Sequence, residues 1–145
     1  MAKVLASVDA GNGTMNIVMT RGKSKRIKED SFPMMRAIVT GDTLNGFDGA
    51  VEFDYMDWNG HRYTYGDDVQ YAMSAVENHV GSNRYGNEFH QFMVATSLVR
   101  NGVKSGDEVT LAVFIPPGYY NQMKDQCVEG FLNKLISDDL GVPLC

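Results

Sequence analysis

A short run of small and apolar residues, Val4-Leu5-Ala6-Ser7-Val8, ends on Asp9, passes through Ala10-Gly11-Asn12-Gly13-Thr14, and re-enters an alternating run from Met15 to Met19. This segment constrains the fold more than any other. The β-branched and small apolar residues of 3–9 read as a buried strand. Residues 14–20 read as a second strand, with Met15, Ile17 and Met19 alternating against Asn16 and Val18. The intervening Asn12-Gly13 pair is the sequence of a tight hairpin, because both residue types tolerate the positive φ that primed turns require. The chain is therefore expected to open with an antiparallel pair that carries an acid at the carboxyl end of its first strand.

The remainder reads as more strand, then helix–strand–helix. Residues 21–28 hold Arg21, Lys23, Lys25, Arg26 and Lys28, a solvated basic turn, and a third strand is expected over about 26–32. Pro33 argues against an uninterrupted central strand across 32–37. Residues 41–49, rich in Gly, Asp and Asn, read as a loop. A second hairpin is expected from residues 51–56 and 62–65 around Asn59-Gly60, with Val51, Phe53 and Tyr55 sharing one face. Asp67 or Asp68 could cap a short helix carrying Val69, Ala72, Met73 and Val76. Residues 77–87 read as loop. A stronger helix is expected over about 87–100, with Phe89, Phe92, Met93, Thr96 and Val99 on its core face, closed by Asn101-Gly102. Residues 109–115 form an apolar run that reads as a buried, parallel strand stopped by Pro116-Pro117-Gly118. A last helix is expected over about 120–138, burying Met123, Cys127, Phe131, Leu132 and Leu135. This order gives an α/β layer with a mixed sheet and flanking helices.

Composition narrows the function. The 145 residues suffice for one domain with a core, and the net charge of -5 lacks the basic face of a nucleic-acid binder. No stretch approaches the roughly 20 apolar residues of a membrane span. The amino terminus does not read as a signal peptide, and two cysteines, Cys127 and Cys145, build no disulfide framework. The expected location is the cytoplasm. His61, His79 and His90 have no ligand spacing, and there is no nucleophile elbow. Cys127 lies at core spacing and reads as an inert thiol, and His90 as a partly exposed helix position. The adjacent Asp67 and Asp68 read as helix-end acids rather than a catalytic pair. Met34 and Met35, around Pro33, read as exposed residues suited to a subunit contact.

The chemistry concentrates at Asp9 to Thr14. Glycine allows main chain to approach a ligand closely and lets successive N–H groups face one concavity. Such a concavity suits phosphate oxygens. A neighbouring carboxylate would repel them unless a cation intervenes, so the arrangement suits Mg²⁺ held by Asp9 directly or through water. Asn12 and Thr14 could add side-chain donors. Spacing alone also fits a plain hairpin.

The string Asp9-Ala10-Gly11-Asn12-Gly13-Thr14, set between two strands at the amino terminus, resembles the first phosphate motif of the actin, Hsp70 and sugar kinase superfamily. It looks most like the bacterial and archaeal actin-like proteins, including those that segregate plasmids. Tyr65-Gly66-Asp67-Asp68-Val69 resembles their Gly-acid step into a helix, and Val113-Phe114-Ile115-Pro116-Pro117-Gly118-Tyr119-Tyr120 resembles their strand, Pro turn and helix start. The resemblance implies a ribonuclease H-like, actin-like ATPase domain, amino-terminal half only. It implies a phosphate hairpin at 3–20, a smaller inserted subdomain at about 32–80 and helix–strand–helix at about 87–138. It further implies ATP or GTP with Mg²⁺, self-association into filaments, and a role in segregating DNA or positioning cargo, with a DNA-binding adaptor as a further partner and no direct nucleic-acid contact. Site residues by resemblance are Asp9, Gly11, Asn12, Gly13, Thr14 and Asn16, with Asp9 orienting the metal and no catalytic residue in this span. The position of Asn16 usually holds a lysine in that family, so attraction to the nucleotide should be weaker here. The residue that positions the attacking water and the second phosphate-binding aspartate lie beyond this span, so the chain by itself is expected to be inactive. Two other readings remain: a non-catalytic α/β binding module, and the amino half of a small-molecule kinase of the same superfamily.

Overall fold

The computed structural model describes residues 2–11, 13–24, 26–39, 54–72, 74–78 and 85–131. The loop read at 41–49, Val51 and Phe53 of the second hairpin, Met73 of the short helix, and Leu132 and Leu135 of the last helix lie outside the described residues, as do Asn12, His79 and Cys145.

The chain opens with β1 (Lys3–Ala10) and β2 (Thr14–Arg21), antiparallel in a register that sets Asp9 opposite Asn16 and Ala10 opposite Met15. Next comes β3 (Lys28–Pro33), antiparallel to β2. Much later β7 (Glu108–Val113) adds parallel to β1, giving a four-stranded mixed sheet in the order β3-β2-β1-β7. Pro33 is the last residue of β3, a sheet-edge strand, where its missing N–H costs no central ladder bond.

After Pro33 the chain leaves this sheet. Met34 and Met35 bridge to β4 (Arg36–Ile38), which pairs with β6 (His61–Tyr65), itself paired with β5 (Tyr55–Trp58). Asn59 (φ 49°) and Gly60 (φ 81°) make the two-residue connection between β5 and β6, the primed turn expected of Asn-Gly. Tyr55 lies 53% exposed while Met56 and Trp58 are buried, so the core face of β5 is the one opposite to Tyr55.

Helix α1 (Glu88–Arg100) is the hub. The Asn87 side chain caps it by accepting from His90 N at 2.8 Å, and Gly102 (φ 94°) follows its end. The expected single core face understates its burial, for every residue from Phe92 to Leu98 is buried. Val4, Ala6 and Val8 of β1 and Met15, Ile17 and Met19 of β2 join Phe92, Met93 and Leu98 in one core with Trp58 and Tyr63 of the small sheet. Helix α2 (Pro117–Phe131) buries Met123, Cys127 and Gly130, with Cys127 next to Tyr85.

Four expectations change. Met34 is 2% exposed and belongs to the core, so it is no subunit-contact residue. His90 is 1% exposed, its Nδ1 accepting from Gly86 N at 2.9 Å. Asp67 and Asp68 lie within the first turn of a 3-10 helix, Gly66–Tyr71, and neither caps it. Asp68 instead accepts from Asp54 N at 2.9 Å. Strand β7 is parallel as expected but not buried, because its residues alternate between exposed and half-buried.

Candidate functional site

Strand β1 points its even-numbered residues into the core beneath α1, so its odd-numbered residues lie on the opposite face. Asp9 is exposed there, one residue before the carboxyl end of β1. Strand β7 runs parallel to β1, and its carboxyl end lies at the same edge, where Phe114 N donates to Val8 O at 3.1 Å. Ligands of open α/β sheets collect at this end of parallel strands. Residues directly opposite on paired strands share a face, so exposed Asn16 stands beside Asp9 with Thr14 two residues nearer the turn.

The turn itself is partly committed. Gly11 N donates to Thr14 O at 3.0 Å, closing the hairpin, and Gly13 O accepts from Met34 N at 2.9 Å. The Gly11 amide therefore serves the hairpin rather than a ligand. Gly13 differs. It does not adopt a left-handed φ, and a Cβ built on it would meet nothing within 4 Å. Neither backbone strain nor crowding by the fold accounts for glycine at this position, and the space in front of its main chain is open. The structure thus brings Asp9, Gly11, Gly13, Thr14 and Asn16 to one corner, and the sixth expected residue, Asn12, lies outside the described residues.

The fit to a metal-bridged polyphosphate can be judged from the donors present. Among the described residues no group of three or more His, Cys, Asp or Glu side chains could hold a metal ion. Magnesium commonly takes one or two carboxylates and completes its shell with water and phosphate oxygens. A single exposed carboxylate at the start of an open hairpin turn fits that pattern and does not fit a resident structural metal. The Tyr65-Gly66-Asp67-Asp68 step lies elsewhere. Gly66 (φ 64°) donates to Met35 O at 3.0 Å, and Asp54, Asp67, Asp68 and Arg100 line a cavity of about 220 Å³ to which none of Asp9 to Thr14 contributes.

The largest feature missed in sequence is a buried cation. Arg36 of β4 is 4% exposed. Its Nη1 and Nη2 donate to Glu88 Oε1 and Oε2 at 2.8 and 2.7 Å, and its Nε donates to Glu77 Oε2 at 2.6 Å. The guanidinium lies 4.4 Å from the Tyr63 ring centroid and 4.9 Å from that of Phe92. Trp58 Nε1 donates to Glu88 Oε1 at 2.9 Å. Burial alone would lower the Arg36 pKa, but hydrogen bonds and charge from Glu88 and Glu77 outweigh it and the net shift is upward. This clamp pins the small sheet to the start of α1. Burial of Cys127 pushes its thiol up to about 11, as suits the inert role expected of it.

A mixed sheet in this strand order, with a hairpin corner at the carboxyl end of its first strand and helices packed on it, defines the amino-terminal portion of an actin-like fold. The match to the actin-like proteins N-terminal domain covers residues 7–138, and the chain belongs to that family. Similar solved structures include two plasmid proteins. The apo psk41 ParM protein aligns at TM-score 0.65 and 19% identity, covering 91% of this chain and 42% of that one. AlfA from B. subtilis plasmid pLS32, in its filament structure, aligns at TM-score 0.52 and 17% identity, covering 90% of this chain and 46% of that one. At these identities the likeness is one of fold, and the chain spans less than half the length of either protein. No curated protein matches the chain.

Proposed function

We propose that this chain is the nucleotide-binding amino-terminal half of an actin-like filament protein that moves or positions DNA or other cargo. The observation that carries the proposal is the corner at Asp9. An exposed carboxylate stands at the carboxyl end of β1, and in the turn that follows it Gly13 has open space where a side chain would sit. The family of the chain and the filament form named for its similar structure AlfA support the same reading.

In this reading the ligand is ATP, or GTP, with Mg²⁺, which would supply charge neutralisation for the polyphosphate. Asp9 holds the metal directly or through its water. Gly13 presents main chain to the phosphates, Gly11 contributes the absence of a side chain, and the Asn12 and Asn16 amides and the Thr14 hydroxyl donate to phosphate oxygens. Asn16 brings no positive charge, so these residues bind through hydrogen bonds and metal bridging. Phosphoryl transfer needs stabilisation from several sides. The proposed catalytic step therefore depends on a second wall of the cleft that these residues do not provide. Residues of about 32–80 form the smaller unit of the proposed division, and the role assigned is cytoplasmic, with copies of the chain and a DNA-binding adaptor as partners. Among the described residues no helix is long and apolar enough to cross a membrane.

The test uses the full-length gene product. Sedimentation with Mg–ATP or Mg–GTP should yield polymer and released phosphate. Protein that stays in the supernatant and releases no phosphate with either nucleotide would refute the filament assignment.

A further inference from the structure

The register of the sheet extends the Asp9 corner in one direction only. Asp9 of β1 stands opposite Asn16 of β2, and Asn16 stands opposite Ser31 of β3. Asp9, Asn16 and Ser31 are all exposed and make one row across three adjacent strands on the open face of the sheet. On the other side of Asp9 that face becomes apolar, with Ala112 exposed and Phe114 59% exposed beyond β1. A metal-bound polyphosphate seated at Asp9 therefore meets polar side chains at Thr14 and onward toward β3, and none toward β7. The row is bounded as well. Two residues before Ser31, Glu29 stands opposite Val18, and its carboxylate would repel an anion extending further along β3.

Ser31 is free to take part. Among the described residues no side-chain hydrogen bond engages its hydroxyl, and Ser31 and Asn16 form one end of an open groove of about 550 Å³ whose other end carries Glu29 and Asp30. We propose that Ser31 is a further ligand-contacting residue, whose hydroxyl donates to the phosphate oxygens or metal-bound water of a magnesium nucleoside triphosphate held at Asp9. The Asn16–Ser31 pair then supplies by two neutral donors part of what a single cationic side chain would supply. A hydroxyl suits this place because it donates to an oxyanion or accepts from metal-bound water without adding charge. The inference rests on the phosphate-site reading of the Asp9 corner and assigns β3 to that site.

The experiment is a ¹⁵N-NMR titration of the 145-residue chain with Mg–ATP up to millimolar concentration, read at the amides of Gly13, Asn16 and Ser31. The three signals should move together on one isotherm. Ser31→Ala should weaken the fitted affinity about fivefold, the net worth of one ordinary hydrogen bond at an exposed site. Ser31→Thr, which keeps the hydroxyl, should restore it, and thermal midpoints should be unchanged in both variants. Shifts at Gly13 and Asn16 with Ser31 stationary, and equal affinity for Ser31→Ala, would overturn this inference while leaving the phosphate site standing. Absence of shifts at all three positions would overturn both together.

Discussion

The Asp9 corner and the Arg36 clamp both place charge within a small α/β domain, and they treat it in opposite ways. Arg36 is buried, with two carboxylates and aromatic rings enclosing its guanidinium. Asp9 is exposed on the open face of the sheet, beside the uncharged Asn16. Two glycines show the same contrast. Gly86, just before the cap of α1, has φ 85°, and a Cβ there would lie 2.4 Å from Gln126 O and 2.7 Å from Cys127 Cα. The fold demands glycine at that place. At Gly13 a Cβ would meet nothing within 4 Å. Residues whose identity the fold explains hold the molecule together, and residues whose identity it leaves unexplained are where a ligand is to be sought.

That contrast is sharpest in stability. Gly86→Ala should cost about 3 kcal/mol, from a left-handed backbone and a clash with main-chain atoms that cannot swing aside. Gly13→Ala should leave the unfolding free energy within about 0.5 kcal/mol of the parent. Equal losses for the two would erase the distinction. Glu88→Ala should cost about 2 kcal/mol in urea denaturation, because it strips Arg36 of its bidentate partner and Trp58 of an acceptor while the guanidinium stays buried. Trp58 is the only tryptophan, so its emission should shift with the same substitution and report the clamp directly. Nucleotide affinity of the Glu88→Ala variant, measured below its unfolding transition, should match the parent.

Smaller effects belong to the corner. Asn16→Lys places an ammonium beside Asp9 and should tighten Mg–ATP binding about fivefold, an effect that added salt should reduce. Unaltered affinity would mean that the phosphates do not lie near β2. The smallest effect is a titration. The Cys127 thiol is raised to about 11 in the folded chain, whereas a free thiol titrates near about 8.5. The neutral thiol is the form that the fold favours. Its contribution to stability is therefore complete below about pH 8.5 and is lost as the pH rises toward 11. Alkylation of Cys127, followed by mass spectrometry at pH 8, should be slow in the native chain and fast in urea.

Local features were legible in sequence. The β1–β2 pair, the Asn59-Gly60 turn, the end of α1 and the stop at Pro33 depend on nearest neighbours in the chain, and their residue chemistry states them. Corner residues Asp9, Gly11, Gly13, Thr14 and Asn16 could be named because they fall within eight consecutive positions, Asp9 to Asn16, of one hairpin. What stayed hidden depends on distant partners. Arg36 draws its environment from residues 77 and 88, and nothing local marks it as buried. Met34 beside Pro33 looked exposed because the crossing from one sheet to the other was not visible. His90 looked half-exposed because only one face of α1 was expected to be covered. Ser31 belonged to an expected strand, but its place next to Asn16 follows from a β2–β3 register that no motif encodes.

Isothermal titration of the folded chain with Mg–ATP, parent against Asp9→Ala, tests the central claim most directly. The account predicts measurable binding by the parent that disappears on adding a chelator. It predicts that the Asp9→Ala chain loses this binding while keeping the thermal midpoint of the parent. Binding that survives the substitution, or a lost fold in its place, would show that Asp9 holds no metal-bridged phosphate.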